Sequence, residues 1–303
     1  MNRPFRVFPR LFAVLSTLAA TLAVALGLAG PAGAAPAARG KAAGSAPTPL
    51  QLKSLSWRSV GPANMGGRIS SIAMVEKKPA TFYLGYGTGG VFKTTNFGTT
   101  WSTVFDDQAT ASIGSIAVWQ KNPDVVWVGT GEANSRNSSS WGNGVYRSSD
   151  AGARWQHLGL AATHNIARVV LHPTDSLTAY VAALGRLWGE NPERGVFVTR
   201  DGGKTWQHTL KVDARTGAVD LIMDPSDPAV LYAAMYSRLR TPWSYTSGGR
   251  TGGIWKSADG GRSWKKLAGG LPDHTGRIGL EVWRKDPRVI FAVVESDQGG
   301  HLA

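Results

Sequence analysis

The chain has 303 residues, with 33 Lys and Arg against 20 Asp and Glu, a formal net charge of +13, and no cysteine. Hydrophobic residues make up 42% and charged residues 17%, which excludes a disordered chain and an all-apolar membrane protein. The lack of cysteine excludes a disulfide scaffold, a thiolate metal site, a cysteine nucleophile and a lipid-modified N-terminal cysteine, and 38 Gly with 12 Trp favour short strands and tight turns over a helical bundle.

Arg3, Arg6 and Arg10 precede an uncharged, mostly apolar run from Leu11 to Gly30, followed by Pro31 and the small residues Ala32-Gly33-Ala34. This order predicts a secretory signal peptide over residues 1–34, cut after Ala34. An uncleaved anchor is the alternative, because an apolar run of about 20 residues is long enough to span a bilayer. No adjacent Arg pair precedes the run, which favours the general secretory route over the twin-arginine one. Residues 35–54, rich in Ala, Pro, Gly and Ser, read as a flexible linker. Cleavage removes three Arg and no acid, lowering the net charge from +13 to +10. The remaining Lys and Arg are scattered with no run of five, a solvated surface and not a nucleic-acid patch. Export implies a periplasmic or extracellular protein with no stable membrane insertion after cleavage.

Residues 55–303 read as repeats. Four segments align without gaps: Thr94 to Trp101, Ser148 to Trp155, Thr199 to Trp206 and Ser257 to Trp264, all [ST]-x-[DN]-x-G-x-x-W. The tryptophans are spaced by 54, 51 and 58 residues, and each copy follows a Gly-led strand beginning at Gly90, Gly144, Gly195 or Gly253. Apolar strands such as Ile113 to Trp119 and Val219 to Met223, a Pro-containing turn and a second strand precede each Gly-led strand. Four antiparallel strands per repeat of about 50 residues predict propeller blades. Trp57-Arg58-Ser59-Val60 repeats the fourth-strand pattern of Trp101 to Val104 without a blade before it. A fifth repeat starts at Arg277 and reaches Gly299 to Leu302, where a third strand should begin. The expected fold is all-β: a β-propeller with four full blades and part of a fifth, a truncated piece of a larger propeller whose C-terminal part is missing.

The repeated pattern resembles the Asp box, or bacterial neuraminidase repeat. In that reading Asn96, Asp150, Asp201 and Asp259 are turn staples accepting from backbone N–H groups, and Trp101, Trp155, Trp206 and Trp264 pack the turns onto the sheet. Asn96 supports the structural role, because an amide is no general acid or base. More broadly, the chain from Trp57 to Glu295 resembles the N-terminal propeller of large exported bacterial proteins related to sortilin-type domains and often labelled glycosyl hydrolase. The segments that carry this are Gly61-Pro62-Ala63-Asn64-Met65-Gly66-Gly67-Arg68, Gly129-Thr130-Gly131-Glu132 and Gly276-Arg277-Ile278-Gly279. The resemblance implies recognition of a peptide or protein ligand, and the aromatic, Arg, Asn and Glu content of the long loops suits a glycan as well.

Strand order puts the boxes and the Pro turns on one face, and three long insertions on the other: Thr130 to Asn143, Gly185 to Arg194 and Tyr236 to Gly252. Long loops tend to carry function. The candidate ligand-binding residues are Arg68, Glu132, Arg136, Trp141, Arg168, Trp188, Arg240, Trp243 and Arg277, which offer stacking and bidentate hydrogen bonds to an extended, partly acidic ligand. The alternative is a glycoside hydrolase of sialidase or xyloglucanase type. Such an enzyme needs two carboxylates, and Asp107 with Glu132 is the pair available. Against it, Gly87 stands where the xyloglucanase resemblance implies a catalytic Asp. Arg68, Arg168 and Arg277 imitate a sialidase arginine triad without a Tyr–Glu pair. The six His show no H-x-x-x-H or H-x-H spacing and no Gly-x-x-x-x-Gly-Lys-Ser/Thr phosphate loop occurs, so no metal or cofactor is expected.

Overall fold

The computed structural model describes residues 67–297 and 299–302. The signal peptide of residues 1–34, the linker of residues 35–54, Trp57 to Val60 and Gly61 to Gly66 lie outside the described residues. The first sheet pairs β1 (Ile69–Met74), β2 (Phe82–Tyr86), β3 (Gly90–Thr94) and β4 (Ser102–Thr103) in that order. The second pairs β5 (Ile113–Val118), β6 (Val126–Thr130), β7 (Val145–Ser148) and β8 (Gln156–His157). The third pairs β9 (Ile166–Leu171), β10 (Ala179–Ala183), β11 (Gly195–Thr199) and β12 (Gln207–Leu210). In the fourth, β13 (Thr216–Met223) and β14 (Leu231–Arg240) pair, a short β15 (Tyr245–Ser247) joins the end of β14, and β16 (Gly253–Ser257) and β17 (Lys265–Lys266) follow. The fifth holds β18 (Thr275–Val282), β19 (Ile290–Ser296) and β20 (Gly299–Leu302). All pairings between these strands are antiparallel, and the expected four blades and part of a fifth are present.

The third insertion departs from expectation. Tyr236 to Arg240 continues β14 instead of looping, and Arg238, Leu239 and Arg240 pair with Ser247, Thr246 and Tyr245 of β15. The insertion is thus a hairpin. Tyr236, Arg238 and Arg240 share one face of the strand, and burial falls along it: Tyr236 and Arg238 are buried, while Arg240 reaches the surface.

The core lies between sheets. Val126 and Val128 of β6 face the first blade and its Ala73, Tyr83 and Val91, while Trp127 faces the third with Val169, Val181 and Phe197. Leu231, Ala233 and Met235 of β14 face the third blade, and Tyr232, Ala234 and Tyr236 face the fifth. Both sides of the middle strands are therefore apolar, which is why they read as continuous hydrophobic runs. The free faces of the end blades are apolar too: Ile72 and Met74 of β1, and Phe291 and Val293 of β19, are exposed.

Candidate functional site

The boxes form four equivalent turns. In the second, Ser148 Oγ donates to Asp150 Oδ1 (2.8 Å), Gly152 N donates to Ser148 Oγ (2.8 Å) and Arg154 N donates to Asp150 Oδ1 (2.8 Å). Thr199, Asp201, Gly203 and Thr205 repeat the pattern, as do Ser257, Asp259, Gly261 and Ser263. Asn96 does the same work with its amide oxygen, which accepts from Thr100 N at 2.9 Å. The hydrogen bonds stabilise the charged carboxylates: Arg154 first draws Asp150 down to about 2, and the hydroxyls of Thr205 and Ser263 hold Asp201 and Asp259 lower still. The box tryptophans reach further than their own sheet. Trp155 Nε1 donates to Val104 O (2.6 Å) and Trp206 Nε1 to Leu158 O (2.7 Å), each on the preceding blade, and Trp264 Nε1 donates to Thr209 Oγ1 (3.3 Å). Trp101 packs edge-on against Phe82 at 5.3 Å. In return, Tyr83 Oη donates to Ala151 O (3.1 Å) and Tyr180 Oη to Gly260 O (3.1 Å), in the box of the next blade.

The inner strands carry a second set of staples, which the sequence reading missed. Ile116 N donates to Ser71 Oγ (2.9 Å), Val169 N to Ser115 Oγ (3.0 Å) and Leu280 N to Asp220 Oδ2 (2.9 Å), each from one blade to the one before. Ser71, Ser115, Arg168 and Asp220 share one register, opposite Gly85, Gly129, Ala182 and Ala234 of their second strands. The third blade thus has a cation where the others have an acceptor. Asp220 compensates, because its Oδ1 accepts from Arg168 Nε at 2.8 Å. The signal was a shared register within the aligned repeats.

On the long-loop face Arg68 and Glu132 meet. Arg68 Nε donates to Glu132 Oε1 (2.7 Å) and Nη2 to Oε2 (2.6 Å), a bidentate pair in which the Glu132 side chain is fully buried. The Glu132 hydrogen bond is the leading cause of a raised Arg68 pKa. A Cβ at Gly87 would lie 2.9 Å from Glu132 Cδ, so this glycine makes room for the carboxylate. Both oxygens of Glu132 are thereby taken by arginine. Asp107 is exposed on the β4–β5 link and makes no ion pair among the described residues. Of the three arginines set out as a triad, Arg68 and Arg168 each hold a carboxylate. Arg277 is half-exposed, with no ion pair among the described residues.

Two buried arginines shape the loops. Arg194 donates through Nη1 to Leu184 O and Arg215 O, and through Nη2 to Arg186 O, which closes the second insertion on itself. Arg238 donates through Nη1 to Ser135 Oγ (2.7 Å) and through Nη2 to Gly185 O (2.8 Å), so it ties all three insertions together. Neither has a carboxylate partner among the described residues, and burial pushes them down to about 10 and about 9, with Arg194 adding to the fall at Arg238.

Above this clamp the insertions build an aromatic shelf. Arg240 bonds Asn137 through Nη2, and its guanidinium lies 5.8 Å from the ring centre of Trp188 and 4.8 Å from that of Tyr245. Trp243 stands at the hairpin tip, 85% exposed, beside Trp188 at 43% and Tyr245 at 39%. These residues line an open cavity of about 430 Å³. Three of the expected binding residues, Trp188, Arg240 and Trp243, are thus brought together. Trp141 is exposed but lies elsewhere, against His164 (5.6 Å), and Arg136 points to solvent. Among the described residues no group of three His, Cys, Asp or Glu is placed to hold a metal.

Sheets stacked face to face, with four-stranded blades and box turns in equivalent positions, define a β-propeller. The Sortilin-Vps10 family (sortilin, neurotensin receptor 3) matches residues 143–299, just over half of the chain, and the protein belongs to that family. A search of curated proteins returned no match. Among solved structures, an ancestral GH74 enzyme aligns with a TM-score of 0.57 and 18% identity over 78% of this chain and 31% of its own. The GH74 xyloglucanase from Xanthomonas campestris aligns with a TM-score of 0.57 and 18% identity over 77% of this chain and 36% of its own. The chain spans about a third of the length of these two structures, and at such identity the likeness shows the fold alone.

Proposed function

We propose that this is an exported recognition propeller, periplasmic or extracellular, whose long-loop face binds an extended glycan, peptide or protein segment. The observation that carries the reading is the shelf of Trp188, Arg240, Trp243 and Tyr245 over its open cavity. Exposed rings give stacking area at low entropic cost, and a guanidinium held between two of them keeps its remaining N–H groups directed. Among the described residues Arg240 has only the neutral Asn137 as its side-chain hydrogen-bond partner, so it offers charge to an acidic group on the ligand in a way that Arg68, held by Glu132, does not. The similarity of the fold to GH74 enzymes keeps hydrolysis within the test.

Glycan and peptide arrays probed with the full chain identify the ligand. Trp188→Ala with Trp243→Ala should abolish retention, and Arg240→Ala should weaken acidic ligands most. Asp107→Asn should leave retention intact. A hydrolytic rate that disappears in Asp107→Asn while retention persists would replace the recognition reading with a glycosidase.

A further inference from the structure

A second cavity, of about 450 Å³, opens between the start of β16, the end of β17 and the link from β17 to β18. Its residues are distinct from those of the shelf. Its charged lining is Arg250, Lys266 and Asp273, two cations against one acid, and none of the three forms an ion pair among the described residues. Lys266 Nζ donates one hydrogen bond, to Arg250 O at 2.9 Å, and an ammonium has three donors. A Cβ at Gly253 would lie 2.9 Å from Lys266 Cε, so the missing side chain lets the lysine stem cross the start of β16.

Thr275 lines the same cavity. Its Oγ1 is buried and has no hydrogen-bond partner among the described residues, and the residue is only 2% exposed. An orphaned buried hydroxyl is costly, and such groups usually answer to a water or an ion. A Cβ at Gly252 would lie 2.6 Å from this oxygen, so the glycine packs directly beside it. A buried hydroxyl without a partner and two exposed cations without ion pairs among the described residues line one cleft, which favours negative charge.

The geometry points to an anion site here, for a tetrahedral oxyanion of the phosphate class. The Arg250 guanidinium supplies a planar fork, Lys266 a point charge, and Thr275 a neutral donor. One acid against two cations leaves the cleft positive, which favours a doubly charged anion over a singly charged carboxylate.

The probe is inorganic phosphate, titrated into the full chain by calorimetry and thermal melting, with sodium chloride at matched ionic strength and sodium acetate as comparison arms. Saturable phosphate binding with a rise in Tm is expected, and acetate should bind at least tenfold more weakly. Arg250→Gln with Lys266→Gln should lower phosphate affinity at least tenfold. Thr275→Val should lower it several-fold, and Lys266→Arg should retain it. Trp188→Ala with Trp243→Ala should leave it unchanged, which separates this site from the shelf. Vesicles of phosphatidylglycerol against phosphatidylcholine identify the source: retention that the double Gln variant loses assigns the phosphate to a lipid headgroup, and no retention assigns it to a free anion. The proposal is overturned by a chloride response equal to that of phosphate, by the absence of saturable binding, or by an unchanged phosphate affinity in the double Gln variant.

Discussion

Phe97 and Ala151 adopt φ of 57° and 56°, a left-handed backbone that costs a residue with a Cβ about 1 kcal/mol or more. The same box position is Gly202 in the third copy and Gly260 in the fourth, with φ of 76° and 69°. Phe97 is largely exposed, so its ring contributes little packing in return. Phe97→Gly and Ala151→Gly should therefore each raise stability by roughly 0.5–1 kcal/mol in urea unfolding, and a loss of stability would show that the side chains do more than the turn requires. Asp201→Ala should lower Tm by several degrees and leave retention on the shelf unchanged, because Thr205 N loses its acceptor on the opposite face. The box carboxylates also set a pH window. Asp titrates near 3.9 in an unfolded chain, and a carboxylate with a depressed pKa stabilises the fold only while it is ionised. The contribution of Asp150 should be complete above about pH 5 and fade as pH drops through its own value of about 2. Asn96 does not titrate. Hydrogen exchange in acid should therefore accelerate at Arg154, Thr205 and Ser263 and not at Thr100, whose amide bonds Asn96.

At the level of strands and turns, the sequence made the boxes legible because each copy closes its own turn with residues a few positions apart. The faces were legible from strand order alone. Contacts across blades were not. Asp220 reads as a polar interruption in an apolar strand, yet it holds three blades: Arg168 from the third, its own strand through Leu221 N, and Leu280 from the fifth. The partners lie 52 and 60 residues away in sequence, and only the stacking of inner strands brings them together. Glu132 was legible as a conspicuous carboxylate in a long insertion, but its bond to Arg68 spans 64 residues and was not. The hairpin of β14 and β15 escaped notice because Arg238, a charged residue, faces inward. Asp220→Ala should cost about 2–3 kcal/mol, since it strands a buried N–H and releases Arg168. Amide exchange should rise at Leu280 first. A variant with unchanged exchange at Leu280 would mean that the inner-strand staple is dispensable.

Among the described residues, the large apolar clusters lie mainly between neighbouring sheets. Stability in such an array is approximately a sum of blade terms and interface terms. The second, third and fourth blades each have two packed faces, whereas the first and fifth each have one, with Ile72, Met74, Phe291 and Val293 left exposed. The first and fifth blades touch through Arg284 and Glu76, whose side chains meet at 3.2 Å with both mostly exposed. An exposed ion pair contributes at most about 1 kcal/mol and is screened by salt, so it does not replace an apolar interface. Amide protection should therefore be highest in β6, β10 and β14 and fall towards β1 and β19. Trp127 is fully buried in the interface between the second and third blades and packs edge-on against Trp206 at 6.4 Å. Trp127→Ala should cost about 3–5 kcal/mol and lower protection in β10 of the next blade as well as in its own sheet. Ile72→Ala, on the bare face of β1, should cost well under 1 kcal/mol and leave protection in β6 unchanged. Uniform protection across all five sheets, with Ile72→Ala as damaging as Trp127→Ala, would show that the end faces are covered in solution.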